Sequence, residues 1–191
     1  GTGAVFETAG GGDFILVGST EGTGVASISM DGDFDSSLYR NYKIFVSDFK
    51  PDGNTQLYLR LRQSDADVTT SVYHYTYRHD VSILSAGSFS SGVEYGDAAA
   101  FCEIVRTVTM SANAAYRGNV DFTLFNPTDT GHYQWCNWTW NHIYNNGTEY
   151  VYYHNTGALY FRATGALTGF TVYTTDGGDM DCNVQLYGLK K

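Results

Sequence analysis

Proline occurs only twice in this chain of 191 residues, and lysine and arginine together number 11 against 20 acidic residues. At a net charge of −9 there is no basic stripe to neutralise a phosphate backbone, which removes nucleic acid from the expected partners. An anionic membrane surface is removed on the same ground. No apolar run approaches the roughly 20 residues of a membrane-spanning helix, so membrane insertion is not expected. The opening GTGAVFETAGGGDF lacks the basic start and apolar stretch of a signal peptide, and its beginning on Gly1 reads as a processed or excised end. Cysteine is scarce and odd in number: Cys102, Cys136 and Cys182 form no CxxC and no Cys/His cluster. They read as three buried reduced thiols, not as zinc ligands or a disulfide framework. Signatures of catalysis are also missing. There is no GxSxG, HExxH or GxxxxGK[ST], and His74, His79, His132, His142 and His154 are scattered without a nucleophile to pair. The expectation is a protein that binds without catalysing and uses no cofactor.

What the chain does have is 16 Tyr, 11 Phe and 22 Gly, with Thr and Val frequent and the strong helix formers thin. That composition suits pleated strands and tight turns. Residues 1–12 are Gly-rich and read as an arm or linker, and 13–191 as one domain. Strands are expected at 13–19, 24–30, 41–49 and 56–62. In the last of these Leu57, Leu59 and Leu61 face inward and Tyr58, Arg60 and Arg62 outward. Further strands are expected at 71–79, 103–110 and 119–127, then in the Trp-rich segment and in the runs YVYYH, GALYFRA, LTGFTVYTT and NVQLYGL. The small-residue stretch 85–100 reads as a long loop, and NNGTE (145–149) and DGGD as turns. Ten or more short strands without an amphipathic helix predict an all-β fold, an antiparallel two-sheet β-sandwich of jelly-roll type.

The stretch HYQWCNWTWNH (132–142) holds all three tryptophans. Side chains alternate along a strand, so Tyr133, Trp135, Asn137, Thr139 and Asn141 share one face, and Cys136, Trp138 and Trp140 the other. Cys136 marks its face as the inner one. The opposite face grades from rings into amides, which suits recognition better than a core, where each buried amide needs partners. Flat rings stack on sugar faces while amides and carboxylates bond the hydroxyls. The candidate ligand-binding residues are therefore Tyr133, Trp135, Asn137 and Asn141, joined by the alternating Tyr73, Tyr75 and Tyr77. The competing readings place such rings in the core or between subunits.

Two carboxylate-rich stretches, DGDFD (Asp31–Asp35) and DGGDMD (Asp176–Asp181), raise calcium. In the first, Ser36 stands where an EF-hand loop needs Gly and Tyr42 where it needs Glu. Solvated turns are the simpler account of both, and no metal site is expected.

Three segments carry a shared pattern. NYKIFVSDFKPDGNTQLYLRLRQS joins an aromatic strand through a Pro-containing turn to an alternating L-x-L-R strand. NVDFTLFNPTDTGHYQWCNW runs from a strand ending in F-N-P into an aromatic strand, and GALTGFTVYTTDGGDMDCNVQLYGLKK closes on LYGLK. Together, from about Phe14 to Lys191, they resemble a family of virion proteins of tailed bacteriophages, common in marine phages. These are regarded as tail-fibre, spike or decoration components with a terminal β-sandwich. The resemblance implies a non-enzymatic virion surface module on the extracellular particle. Its expected place is a homotrimeric tail-fibre or spike tip that attaches to a host cell-surface glycan. The alternatives are a capsid or head decoration protein contacting other virion subunits, and a carbohydrate-binding module of a glycan-degrading enzyme. The family has no agreed binding residues, so none is carried over.

Overall fold

Strand after strand of alternating burial fills a computed structural model that describes residues 14–53, 55–105, 117–145, 148–175 and 178–191. Thirteen strands are found among the described residues: β1 (Phe14–Val25), β2 (Ser27–Asp31), β3 (Tyr39–Pro51), β4 (Leu57–Gln63), β5 (Ala66–Asp67), β6 (Tyr73–Ile83), β7 (Ser88–Ala99), β8 (Cys102–Glu103), β9 (Gly118–Phe125), β10 (Gln134–Asn145), β11 (Tyr150–Phe161), β12 (Gly169–Thr174) and β13 (Met180–Lys190). They form two antiparallel sheets. The larger runs β1-β13-β3-β9-β10-β11-β6-β7, and the smaller runs β2-β12-β4-β5, with β8 also on β4. The first strand lies beside the last, with Phe14 opposite Leu189, and the second lies beside the second-last. That wrapping is the jelly-roll connectivity expected from the sequence.

The core lies between the sheets. From the larger sheet it takes Tyr42, Ile44, Val46, Val120, Phe122, Leu124, Leu159 and Phe161, and from the smaller Ile28, Met30, Leu57, Leu59, Leu61, Phe170 and Val172. The alternation in β4 therefore has the phase expected. All three cysteines are buried and free, and burial pushes each thiol's pKa up, that of Cys182 to about 12.

Three expectations change. The stretch 85–100 is not a long loop: most of it is β7, an edge strand paired to β6 along its length. Its small residues are the reason. Gly96 lies under the ring of Tyr75 and Gly92 under that of His79; a Cβ at either would come within 2.3 and 2.5 Å of the ring. The runs YVYYH and GALYFRA are one strand, β11. Of the strand expected at 103–110, only Glu103 is in strand, in β8, and 106–110 lie outside the described residues. So do the arm at 1–12 and parts of both expected turns, Asn146–Gly147 and Asp176–Gly177.

The same ring-on-glycine packing recurs at the tryptophans. Trp138 lies across Gly157, its cross-strand partner, where a Cβ would sit 2.2 Å from the indole; Trp140 covers Gly118 in the same way at 2.3 Å. A buried indole has little freedom to yield, so the extra methyl overpacks the core. Gly157→Ala should cost about 1–3 kcal/mol and Trp138→Ala about 3–5 kcal/mol, while Trp135→Ala leaves stability nearly unchanged. Urea unfolding of the three variants checks this, and a wild-type midpoint for Gly157→Ala would contradict the packing described.

His142 extends the inner row of β10 and packs ring to ring with Trp140 at 5.9 Å. Burial lowers its pKa to about 4, against a backbone hydrogen bond with Arg117 that raises it. An unfolded chain would titrate this group near 6.5. Between those values the unfolded state binds more protons, so stability is lost as pH falls from about 6.5 to about 4 and changes no further below. The expected loss from this residue is on the order of 3 kcal/mol. Comparing wild type with His142→Gln by denaturation at pH 7 and pH 4.5 isolates it: the variant should lose less stability on acidification.

Candidate ligand-binding site

Because β10 turns Cys136, Trp138 and Trp140 inward, at 1%, 3% and 0% exposure, its other face must look out, and Trp135 is 52% exposed. The partition inferred from the period-2 pattern is the one observed. Trp135 stands opposite Phe125 on β9 and Tyr160 on β11, and Tyr160 stands opposite His74 on β6. These side chains form a row across the sheet. Trp135 and Tyr160 pack at 4.5 Å between ring centroids, Tyr133 meets Tyr160 edge-on at 5.3 Å, and His74 lies 6.4 Å from Tyr160.

Trp135 and Tyr160 make a ridge between two recesses. One, of about 480 Å³, is closed by Gly131, His132, Tyr133 and Thr164. The other, of about 340 Å³, is bounded by His74, Thr76, Tyr95, Asp97 and Ala158. The first is shaped by the turn before β10. Asn126 takes a left-handed backbone (φ 48°), which Asn tolerates. Asp129 then accepts hydrogen bonds from the Gly131 N–H (2.7 Å), Asn126 Nδ2 (2.9 Å) and His132 Nδ1 (2.9 Å). The bonds to Gly131 and His132 hold the Asp129 pKa below the ordinary value. Gln134 ties the same turn to the Asp129 carbonyl at 2.7 Å. In the second recess His74 Nδ1 donates to Asp97 Oδ1 at 2.5 Å.

The structure brings together Tyr133, Trp135 and Asn137, all exposed. Asn141 is set apart. It lies six residues along the strand from Trp135, about 20 Å away, and its side-chain oxygen already accepts from Tyr152 (2.7 Å) and His154 (2.8 Å). Tyr73, Tyr75 and Tyr77 are corrected outright: they are core residues at 0%, 8% and 2% exposure. Tyr73 and Tyr75 pass their hydroxyls toward the smaller sheet. That of Tyr73 accepts from the Leu61 N–H and donates to the Val68 carbonyl, both at 2.9 Å, and that of Tyr75 donates to Glu103 at 3.1 Å. The outward row of β6 is the other phase, His74, Thr76 and Arg78. Sequence reasoning missed His74, Tyr95, Asp97 and Tyr160. For Tyr160 the signal was present, since Leu159 and Phe161 flank it as inward residues.

Among the described residues no group of three His, Cys, Asp or Glu could hold a metal ion. In the DGDFD stretch, Asp31 accepts from Arg62 and Asp35 from the Ser37 N–H and hydroxyl, so both carboxylates serve the protein itself.

Comparison with protein-family models, with curated proteins and with solved structures finds no match.

Trp138 and Trp140 are buried, so acrylamide should quench one indole of the three. Trp135→Phe should abolish that quenchable fraction; a fraction surviving in the variant would place another indole in solvent.

Proposed function

We propose that this chain is a non-enzymatic surface module that docks a glycan across the Trp135–Tyr160 ridge. The observation that carries the reading is the half-exposed Trp135, packed against Tyr160 and flanked by a recess on each side. A sugar ring stacks on the indole, and its hydroxyls meet His132 and Asp97 in the recesses and Asn137 farther along the exposed face of β10. Exposed aromatics this concentrated on one face are otherwise a liability in water. From the motif resemblance we place the module on the surface of a tailed-phage particle, at a fibre or spike tip. Contact with other virion subunits is the second reading. It is favoured by the apolar side chains along β7, where Phe89, Val93 and Tyr95 are exposed at 63%, 68% and 76%. That strand is the outer edge of the larger sheet, and such an edge invites pairing with another chain.

A glycan array probed with wild type, Trp135→Ala and Tyr160→Ala tests the first reading. Wild-type binding should fall at least tenfold in both variants. Binding unchanged by either would refute it, and affinity confined to assembled particles would favour the second. For the oligomer we propose a homotrimer, so light scattering should give three times the 21.0 kDa chain mass. A species of single-chain mass at high concentration would exclude it. Incubation with host polysaccharides should release no reducing ends; release abolished by one Asp or Glu substitution would show an enzyme.

A further inference from the structure

The smaller sheet has an outer face of its own, on the opposite side of the molecule from Trp135. Its strands turn Ser27 and Ser29, Thr171 and Tyr173, and Tyr58, Arg60 and Arg62 outward, and together they line an open groove of about 840 Å³. Phe101 stacks flat on Tyr58, with centroids 4.4 Å apart and planes 7° from parallel, and Tyr173 meets Tyr58 edge-on at 5.5 Å.

The charges in this groove are unevenly matched. Arg62 is fully engaged: Nε donates to Asp31 at 2.6 Å, Nη1 to Asp67 Oδ1 at 2.6 Å, and Nη2 to the Asp65 carbonyl. Asp67 Oδ1 also accepts from Thr171 at 2.6 Å. Asp31 and one oxygen of Asp67 are thus turned to Arg62. Among the described residues Arg60 has one hydrogen bond, from Nε to the Ala100 carbonyl at 3.3 Å, and faces Asp67 Oδ2 at 3.9 Å. Its guanidinium lies over the Tyr173 ring, 4.5 Å from the centroid. The Tyr173 hydroxyl is buried and has no hydrogen-bond partner among the described residues. A cation whose nearest carboxylate oxygen is 3.9 Å away, that of an Asp67 shared with Arg62, and an unpaired O–H donor therefore line the same groove. Both call for an anionic oxygen, because a buried donor left unpaired is costly and a guanidinium fork matches a carboxylate or sulfate.

We propose that this groove binds an anionic sugar, with a carboxylate or sulfate group seated on Arg60. Beyond Ala26 and the paired Arg62 and Asp67, the remaining lining is hydroxyls and aromatic rings, which suits a polyhydroxylated ring and not an apolar tail. A polyanion such as nucleic acid is disfavoured, since a single under-neutralised arginine faces a chain of net charge −9. The site is separate from the Trp135 ridge and does not depend on it.

Calorimetric titration with oligogalacturonate, its fully methyl-esterified form and a sulfated galactan oligomer tests the proposal. At least one anionic probe should bind, more weakly as salt rises, and the ester should bind at least tenfold more weakly than its parent acid if the acid is the ligand. Which anionic probe binds identifies carboxylate or sulfate as the group held. Arg60→Gln should weaken binding at least tenfold and Tyr173→Phe measurably, whereas Trp135→Ala should leave it unchanged. Tyr173→Phe removes only the unpaired hydroxyl, so it carries the test if Arg60→Gln fails to fold. Binding of neither anionic probe, equal binding of acid and ester, or wild-type affinity in Tyr173→Phe and a folded Arg60→Gln would overturn the proposal.

Discussion

Large rings laid across glycines of neighbouring strands set the register of the larger sheet. Trp138 over Gly157, Trp140 over Gly118 and Tyr75 over Gly96 each need a missing Cβ beneath them. A slip of one residue would bring side chains under the rings and turn the inner row outward. With Cys136, Trp138 and Trp140 fixed in the inner row, alternation along β10 leaves Trp135 outside. The outward aromatic face is in this sense a product of core packing. The same packing explains why β7 has glycines at 92 and 96 on its inner side, beneath rings from β6.

Much of this was legible in the residues, and the failures have physical causes. Period-2 alternation with a cysteine as phase marker was enough to partition the tryptophans, and the leucines of β4 did the same for that strand. In β6 the pattern was equally regular but its phase was misassigned. Tyrosine is apolar along its ring and polar at its tip, so a stripe of Tyr73, Tyr75 and Tyr77 reads equally well as surface or core. What decided it was the opposite sheet, where the Leu61 N–H, the Val68 carbonyl and Glu103 take the hydroxyls of Tyr73 and Tyr75. No local pattern reveals such partners. β7 looked like a loop because strand propensity measures side-chain packing, and here the packing is supplied by rings from β6. The pairing of Trp135 with Tyr160 joins two strands whose order in the sheet had to be known first.

The two outer faces differ in how they treat charge. Around Trp135 the ridge itself is aromatic and uncharged, and the nearby carboxylates are held by histidines: Asp97 by His74 and Asp129 by His132. On the smaller sheet two arginines sit among hydroxyls, one neutralised at contact distance and one not. Arg62 ties β2 to the β4–β5 hairpin through Asp31, Asp65 and Asp67. The residue that does not serve the fold in this way is Arg60.

The closing of the wrap, first strand beside last, has a mechanical consequence. Phe14 and Leu189 are directly opposed in antiparallel strands, so the two ends of the described chain emerge at the same end of one ladder. Tension applied between them opens that ladder like a zipper, one hydrogen-bonded pair after another, and the bonds never share the load. Phe14, Leu189, Asn41, Phe125 and Trp135 stand in one row across the sheet, so tension between either end and Trp135 also runs across the strands and loads those ladders from the same end. The domain is therefore soft to forces along that row and stiff to forces along its strands.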